Sequence, residues 1–134
     1  VVERSATVPS LLFESFAYRH GVPDDADFVF DSRSLPNPYW ESSLRTLSGR
    51  DQAIADFLAG HDDVQRFVDD VTGFLERWLP SLARSNRSYV TIALGCTGGQ
   101  HRSVYLAERL AAHFEGRFGH ALIRHRDLED HLRE

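Results

Sequence analysis

Apolar and polar positions along the chain divide it into strand-like and helix-like stretches. Leu11-Leu12-Phe13-Glu14-Ser15-Phe16-Ala17-Tyr18-Arg19 mixes alternation with aromatics and predicts a strand. His20-Gly21-Val22-Pro23-Asp24-Asp25 is turn chemistry, and Phe28-Val29-Phe30-Asp31 predicts a second, short and buried strand. Residues 33–49 hold Pro36, Pro38 and Gly49 and show no period. A loop of that length is uncommon unless it is functional or disordered, and Tyr39-Trp40 argues for order. Two helical patterns follow. One runs from Gln52 to Leu58. The other runs from Val64 to Leu82, with apolar residues near a 3.6 period and Pro80 expected to kink or end it. Trp40 and Trp78 are expected in the core.

Tyr89-Val90-Thr91-Ile92-Ala93-Leu94 is the best strand, β-branched, almost uncharged and expected to be buried on both faces. Gly95 through Gln100 reads as a glycine-rich turn. A helix runs from His101 or Arg102 to Phe114, stopped by Gly116 and Gly119, and Ala121–His125 predicts a last strand. Residues 1–8 read as an irregular lead-in. Strands separated by helices predict an α/β fold, a small mostly parallel sheet flanked by helices. Ligands of such sheets bind beyond the carboxyl ends of the strands. That singles out Asp31-Ser32-Arg33, Gly95–Ser103 and Arg124-His125-Arg126.

The 134 residues fit one domain, and 42% hydrophobic residues suffice for an ordinary core. Twenty acids against fifteen bases give a net charge of -5, which argues against a generally basic nucleic-acid-binding body. Every base is Arg. The absence of Met and the opening Val1 suggest an excised piece. One Cys excludes an internal disulfide framework, and no apolar run approaches the ~20 residues that span a bilayer, so a cytoplasmic location is expected. The histidines show no metal-ligand spacing, and neither metal nor cofactor is expected.

Gly95-Cys96-Thr97-Gly98-Gly99-Gln100-His101-Arg102-Ser103 carries the most chemistry. Three glycines let successive N–H groups point into one concavity, and the helix start adds free N–H groups and a positive dipole end. Thr97 and Ser103 add hydroxyls, and Arg102 adds a fork suited to phosphate, placed at a ligand site and outside the core. The segment predicts a strand–glycine loop–helix anion site for phosphate or sulfate. It is not a Walker A loop, because Lys is absent and the glycine spacing differs. Cys96, five residues, Arg102 and Ser103 also match a cysteine-phosphatase loop, with Cys96 as nucleophile, although Gly95 replaces the His usual before the Cys. Asp31 and Arg33, two apart at a strand end, share one face. A local ion pair or loop cap and a pair of ligand contacts both fit that spacing.

Phe30-Asp31-Ser32-Arg33-Ser34-Leu35-Pro36-Asn37-Pro38-Tyr39-Trp40, Asn86-Arg87-Ser88-Tyr89 and Gly95 through Tyr105 closely resemble the C-terminal domain of the RapZ family. The resemblance runs from about Phe13 to Leu128 and assigns the whole chain, 1–134, to that domain. The family's N-terminal P-loop nucleotide-binding domain is then absent from this chain. The resemblance implies an α/β domain related to a sugar-phosphate-binding subdomain of phosphofructokinase. It implies a non-catalytic regulatory adapter that senses glucosamine-6-phosphate and presents small RNA to an endoribonuclease. Partners would be an amino-sugar phosphate or a simple phosphate or sulfate anion, small RNA with its RNase, and a further copy of the chain. UDP-N-acetylglucosamine is another candidate ligand.

The family's ligand residues carry over onto Asp31, Arg33, Cys96, Thr97, Gly98, Gly99, His101 and Arg102, with Asp31 toward an amino-sugar ammonium and Arg33 toward phosphate. Tyr39 stands where the family often has His; it keeps a hydrogen-bonding ring but loses the charge response. Gln100 stands where relatives carry Lys. RNA-binding members end in a Lys/Arg-rich run, whereas Arg124-His125-Arg126 is here followed by Asp127, Glu129, Asp130 and Glu134. Such a tail predicts weak RNA binding by the isolated domain.

Overall fold

The structure, a computed structural model, describes residues 9–129; the expected lead-in at 1–8 and the tail residues Asp130 and Glu134 lie outside them. The most apolar segment becomes β3 (Tyr89–Cys96) of a four-stranded sheet. Its other strands are β1 (Ser10–Ala17), β2 (Phe28–Asp31) and β4 (Ala121–His125). The order is β2-β3-β1-β4 and every pairing is parallel, so all four carboxyl ends share one edge. The helices are α1 (Gln52–Ala59), α2 (Asp62–Arg84) and α3 (Arg102–Phe114). The fold is α/β, as the alternation of periods implied.

Handedness explains how the layers are filled. A crossover between parallel strands is almost always right-handed. The steps β2 to β3 and β3 to β4 move the same way across the sheet, so their helices belong on one face. Leu11, Phe13, Val90, Ile92 and Leu94 meet Ile54, Leu58, Val68, Leu75, Leu106, Leu110 and Phe114 there in one buried cluster. Phe13 and Phe114 stack at 5.8 Å between ring centroids. The step β1 to β2 moves the opposite way, so residues 18–27 belong on the other face. Thr91 and Ala93 are buried there, and the Phe16 and Tyr18 rings pack at 4.8 Å.

Several local expectations change in three dimensions. The third strand runs two residues further than its apolar run, because Gly95 pairs with Phe16 and Cys96 with Ala17. Ser32 donates to the Gly95 carbonyl from its N–H (2.8 Å) and from its hydroxyl (2.7 Å). Pro80 neither ends nor bounds α2, which continues to Arg84. Leu79 is buried just before it and Leu82 packs on the core just after it, so packing offsets the one backbone bond a proline removes. Asn86, with φ of 67°, takes the left-handed position beyond the helix end. The tryptophans are not core residues: Trp78 is 48% exposed and Trp40 74% exposed. The buried stripe of α2 runs through Val64, Val68, Val71, Leu75 and Leu79, which leaves Trp78 on its flank.

Residues 33–49 form an ordered connection, with a 3-10 turn at Pro38–Trp40 capped by the Asn37 carboxamide, which accepts from the Tyr39 N–H at 3.1 Å. The connection returns to the sheet edge at Gly49, whose N–H donates to the Gln100 carbonyl at 2.8 Å. A Cβ at Gly49 would fall on the His101 carbonyl and the Tyr105 amide, both backbone atoms of the first turn of α3. Gly49→Ala is therefore expected to cost about 1–3 kcal/mol, as overpacking typically does, seen as a fall of several degrees in Tm. An unchanged Tm would show that the start of α3 can shift freely.

Candidate functional site

Because the sheet is parallel, its carboxyl edge gathers residues far apart in sequence: 18–20, 31–33, 96–102 and 125–127. A cavity of about 340 Å³ opens there. Its walls are Arg19, Asn37, Tyr39, Trp40, Cys96, Thr97, Gly98, Gln100, His101 and Arg102. Six of the sequence-predicted site residues are thus brought together: Tyr39, Cys96, Thr97, Gly98, His101 and Arg102. Gly99 in the loop and Ser103 in the first turn of α3 are buried behind that surface. Asp31 and Arg33 are not on the walls but pair with each other. The Arg33 guanidinium donates to both Asp31 oxygens at 2.9 and 2.8 Å, and the Arg33 N–H adds a bond of 2.9 Å. The local ion pair is the arrangement present, and Arg33 also lies over the Tyr18 ring at 3.8 Å. This pairing holds the Asp31 carboxyl below its usual range.

The loop after β3 turns at Gly99, with φ of 72°, where a Cβ would meet Ala17 Cβ at 3.0 Å and Ala17 N at 3.1 Å. Close approach and a left-handed backbone together require glycine. Among the described residues, the amide N–H groups of Gly98 through Arg102 meet no protein acceptor. Gln100 fastens this loop to the chain after β4: its amide nitrogen donates to the Gly98 carbonyl (3.0 Å) and the Asp127 carbonyl (2.9 Å), and its oxygen accepts from the Glu129 N–H (3.1 Å). Asp127, counted in the sequence as a repelling tail acid, is instead turned inward and accepts from the Ala17 N–H at 2.7 Å. Burial works against its charge, but Arg126, the Ala17 N–H and His20 outweigh that and hold its carboxyl below the usual range.

Arg102 is the central side chain, and it is a core residue as well as a site residue, at 4% exposed. Its Nη1 donates to the carbonyls of Arg33 (2.8 Å) and Leu35 (3.0 Å), tying α3 to the connection after β2. Its Nε has no partner in the structure. Burial pulls the guanidinium below its ordinary value, while Cys96 and Asp31 work the other way; an Arg remains charged under such opposing effects. Cys96 is buried beside it, with Sγ 3.1 Å from the Ser103 hydroxyl and accepting from the Ser103 N–H at 3.4 Å. Among the described residues no Asp or Glu lines the cavity. Two guanidiniums and a row of free amides without an opposing carboxylate among the described residues are chemically complementary to an anion.

The family model of the RapZ C-terminal domain matches residues 9–129. The chain belongs to the RapZ family. Among curated proteins, a nucleotide-binding protein of Methylobacillus flagellatus is 60% identical over 119 residues, 89% of this chain and 42% of that protein. One from Ralstonia nicotianae is 57% identical over the same length, 40% of that protein, and one from Chromohalobacter salexigens is 55% identical over 128 residues, 43% of it. The chain spans about two fifths of the curated relatives it matches.

In this RapZ C-terminal domain, sequence reasoning missed Arg19, Asn37, Trp40 and Gln100 as cavity residues. Arg19 has no side-chain partner among the described residues, and its guanidinium is 4.0 Å from where a Gly98 Cβ would stand. The available signal was the place of Arg19 at the carboxyl end of a predicted strand, where ligands of parallel sheets bind. Among the described residues no cluster of His, Cys, Asp or Glu is arranged to hold a metal ion, and no helix is long and apolar enough to cross a membrane.

His101 spans both roles of the site. Its Nε2–H donates to the Arg45 carbonyl at 3.1 Å, bracing the connection against the glycine loop. Burial pushes its pKa below the ordinary 6.5, against the pull of the Arg45 and Leu47 carbonyls. A folded-state value below the unfolded one means that only the unfolded chain takes up the proton as pH falls past 6.5. The contribution is therefore full above that pH and is lost as pH falls toward the folded-state value. Urea unfolding at about pH 7.5 and about pH 5.5 should show the wild type weakening in acid more than His101→Gln. Equal acid sensitivity in the two proteins would remove His101 as the source.

Proposed function

We propose that this RapZ domain is the metabolite-sensing part of a regulatory adapter, binding a small sugar phosphate of the glucosamine-6-phosphate class with its phosphate on the loop Gly98–Ser103. The observation that carries the reading is the buried Arg102 guanidinium, with one N–H unpaired, on a cavity wall that it shares with free loop amides and no acid. A charged donor left unsatisfied in a buried position is costly unless a ligand completes it. The cavity size suits a small molecule. The relatives' shared name, nucleotide-binding protein, belongs to chains more than twice as long, and a nucleotide diphosphate sugar remains an arm of the test. Asp31 is already paired with Arg33 and lies off the cavity walls, so the phosphate end of the ligand is better supported than an ammonium contact at Asp31. The same reading includes presentation of small RNA to an RNase, as the family resemblance implies, in a cytoplasmic setting and with a further copy of the chain as a partner.

Isothermal calorimetry with glucosamine-6-phosphate, UDP-N-acetylglucosamine and inorganic phosphate tests the reading. Glucosamine-6-phosphate is expected to bind tightest and phosphate to compete with it; no heat from any of the three would overturn the assignment. Arg102→Ala should weaken sugar-phosphate binding by about 10- to 100-fold, the worth of a charge-assisted bond. The same change should also destabilise the fold by about 1–3 kcal/mol, because the Arg33 and Leu35 carbonyls lose a buried donor. Unaltered affinity in a folded Arg102→Ala protein would exclude Arg102 from the site.

The proximity of Cys96 to Arg102 at a helix start favours one competing reading, a cysteine-dependent phosphatase. Its thiol is 2% exposed and engaged with Ser103, a poor position for in-line attack. A binding role predicts that Cys96→Ser keeps affinity within about tenfold, since the side chains are nearly isosteric, and that the wild type does not hydrolyse an aryl phosphate. Cys96-dependent turnover would establish the phosphatase instead.

A further inference from the structure

Trp40 is a large aromatic side chain on the cavity wall that the fold does not need. At 74% exposed it contributes little burial, yet it is held in place. Its backbone N–H donates to the Asn37 carbonyl at 3.3 Å, and its ring meets Tyr39 edge-on at 5.2 Å. Arg45 braces Tyr39 in turn, with Nε donating to the Tyr39 carbonyl at 2.9 Å and the guanidinium 4.8 Å over the ring. The Tyr39 face thus already carries a cation, whereas among the described residues no cation lies over the indole. A fixed, uncovered indole is the strongest aromatic acceptor for a positive charge. With no carboxylate on the cavity wall among the described residues, the uncovered indole face joins the neutral hydroxyl and carbonyl oxygens as a group able to receive one.

We infer that Trp40 is the specificity residue of the site: its indole face stacks on the pyranose ring and takes the ammonium of an amino-sugar phosphate whose phosphate rests on the glycine loop. The inference rests on the sugar-phosphate reading and deepens it, by assigning the positive end of the ligand to an aromatic ring rather than to Asp31. Asp31 is committed to Arg33 through a bidentate pair and lies off the cavity walls. The ligand is then bipolar, an anion held by guanidinium and amides and a cation held by a π face. A neutral hexose phosphate would keep the phosphate contacts and the ring stacking and lose only the ammonium contact.

The test measures affinities of inorganic phosphate, glucose-6-phosphate and glucosamine-6-phosphate for wild type, Trp40→Ala and Trp40→Phe. Wild type should prefer the amino sugar over glucose-6-phosphate. Trp40→Ala should weaken the amino sugar by about 5- to 10-fold and erase that preference, with Trp40→Phe intermediate, in keeping with an exposed to half-desolvated cation–π contact. Phosphate affinity and Tm should stay at wild-type values. In a Trp78→Phe background, which leaves Trp40 the sole tryptophan, the amino sugar should change the indole emission and phosphate should not. Equal weakening of all three ligands, or none, would overturn the role of Trp40 while leaving the phosphate site standing. Absence of binding by every ligand to wild type would overturn both readings together.

Discussion

A buried guanidinium joins the fold to its site. Arg102 begins α3 on the far side of the glycine loop, yet its Nη1 reaches the carbonyls of Arg33 and Leu35 just after β2. Taking a charge out of water is expensive, and it is tolerated where carbonyl dipoles and nearby negative groups replace the water. That requirement shapes the connection that follows. Residues 33–49 fold back over the edge, and His101 and Gly49 anchor their far end through the Arg45 and Gln100 carbonyls. The turn bearing Tyr39 and Trp40 is thereby held on the wall of the same cavity as the loop amides. A side chain that looks purely like a ligand contact is also the tie that builds the pocket.

The parallel sheet supplies the rest of the geometry. Its four carboxyl ends meet at one edge, and two crossovers of one direction put the helices on one face, leaving the other to residues 18–27. The same order brings the segment after β4 beside the segment after β1. There Asp127 caps Ala17 and Gln100 bonds across to 127–129, so the anion loop is clamped from both sides. The acidic side chain of Asp127, beside the loop, is consumed by structure, and among the described residues the cavity walls carry no carboxylate.

Much of this was legible in the residues. Period and breakers place β4 at Ala121–His125 and start the last helix at His101 or Arg102, where α3 begins at Arg102, because a strand, a glycine turn and an amphipathic helix are each decided by near neighbours. The chemistry of the glycine loop was legible for the same reason: its glycines, hydroxyls and Arg102 lie within nine residues. Pro80 misled because its cost is local while the packing of Leu79 and Leu82 that offsets it is not. Trp40 and Trp78 misled because hydrophobicity states a preference for burial and says nothing about whether a neighbour arrives to provide it.

By itself, then, the sequence determined the α/β class, the order of elements, the chemistry of the glycine loop and the family. Each depends on contacts within a few residues or on motifs read directly. Only the tertiary structure decided that Asp31 closes on Arg33, that Asp127 turns inward, that Gln100 is a clip, that Arg102 is buried, and that Arg19 and Trp40 face the cavity. Apart from the Asp31–Arg33 pair, whose two outcomes share one spacing, these depend on partners tens of residues or more away. Crossover handedness and strand order bring such partners together, and no local window of sequence contains them.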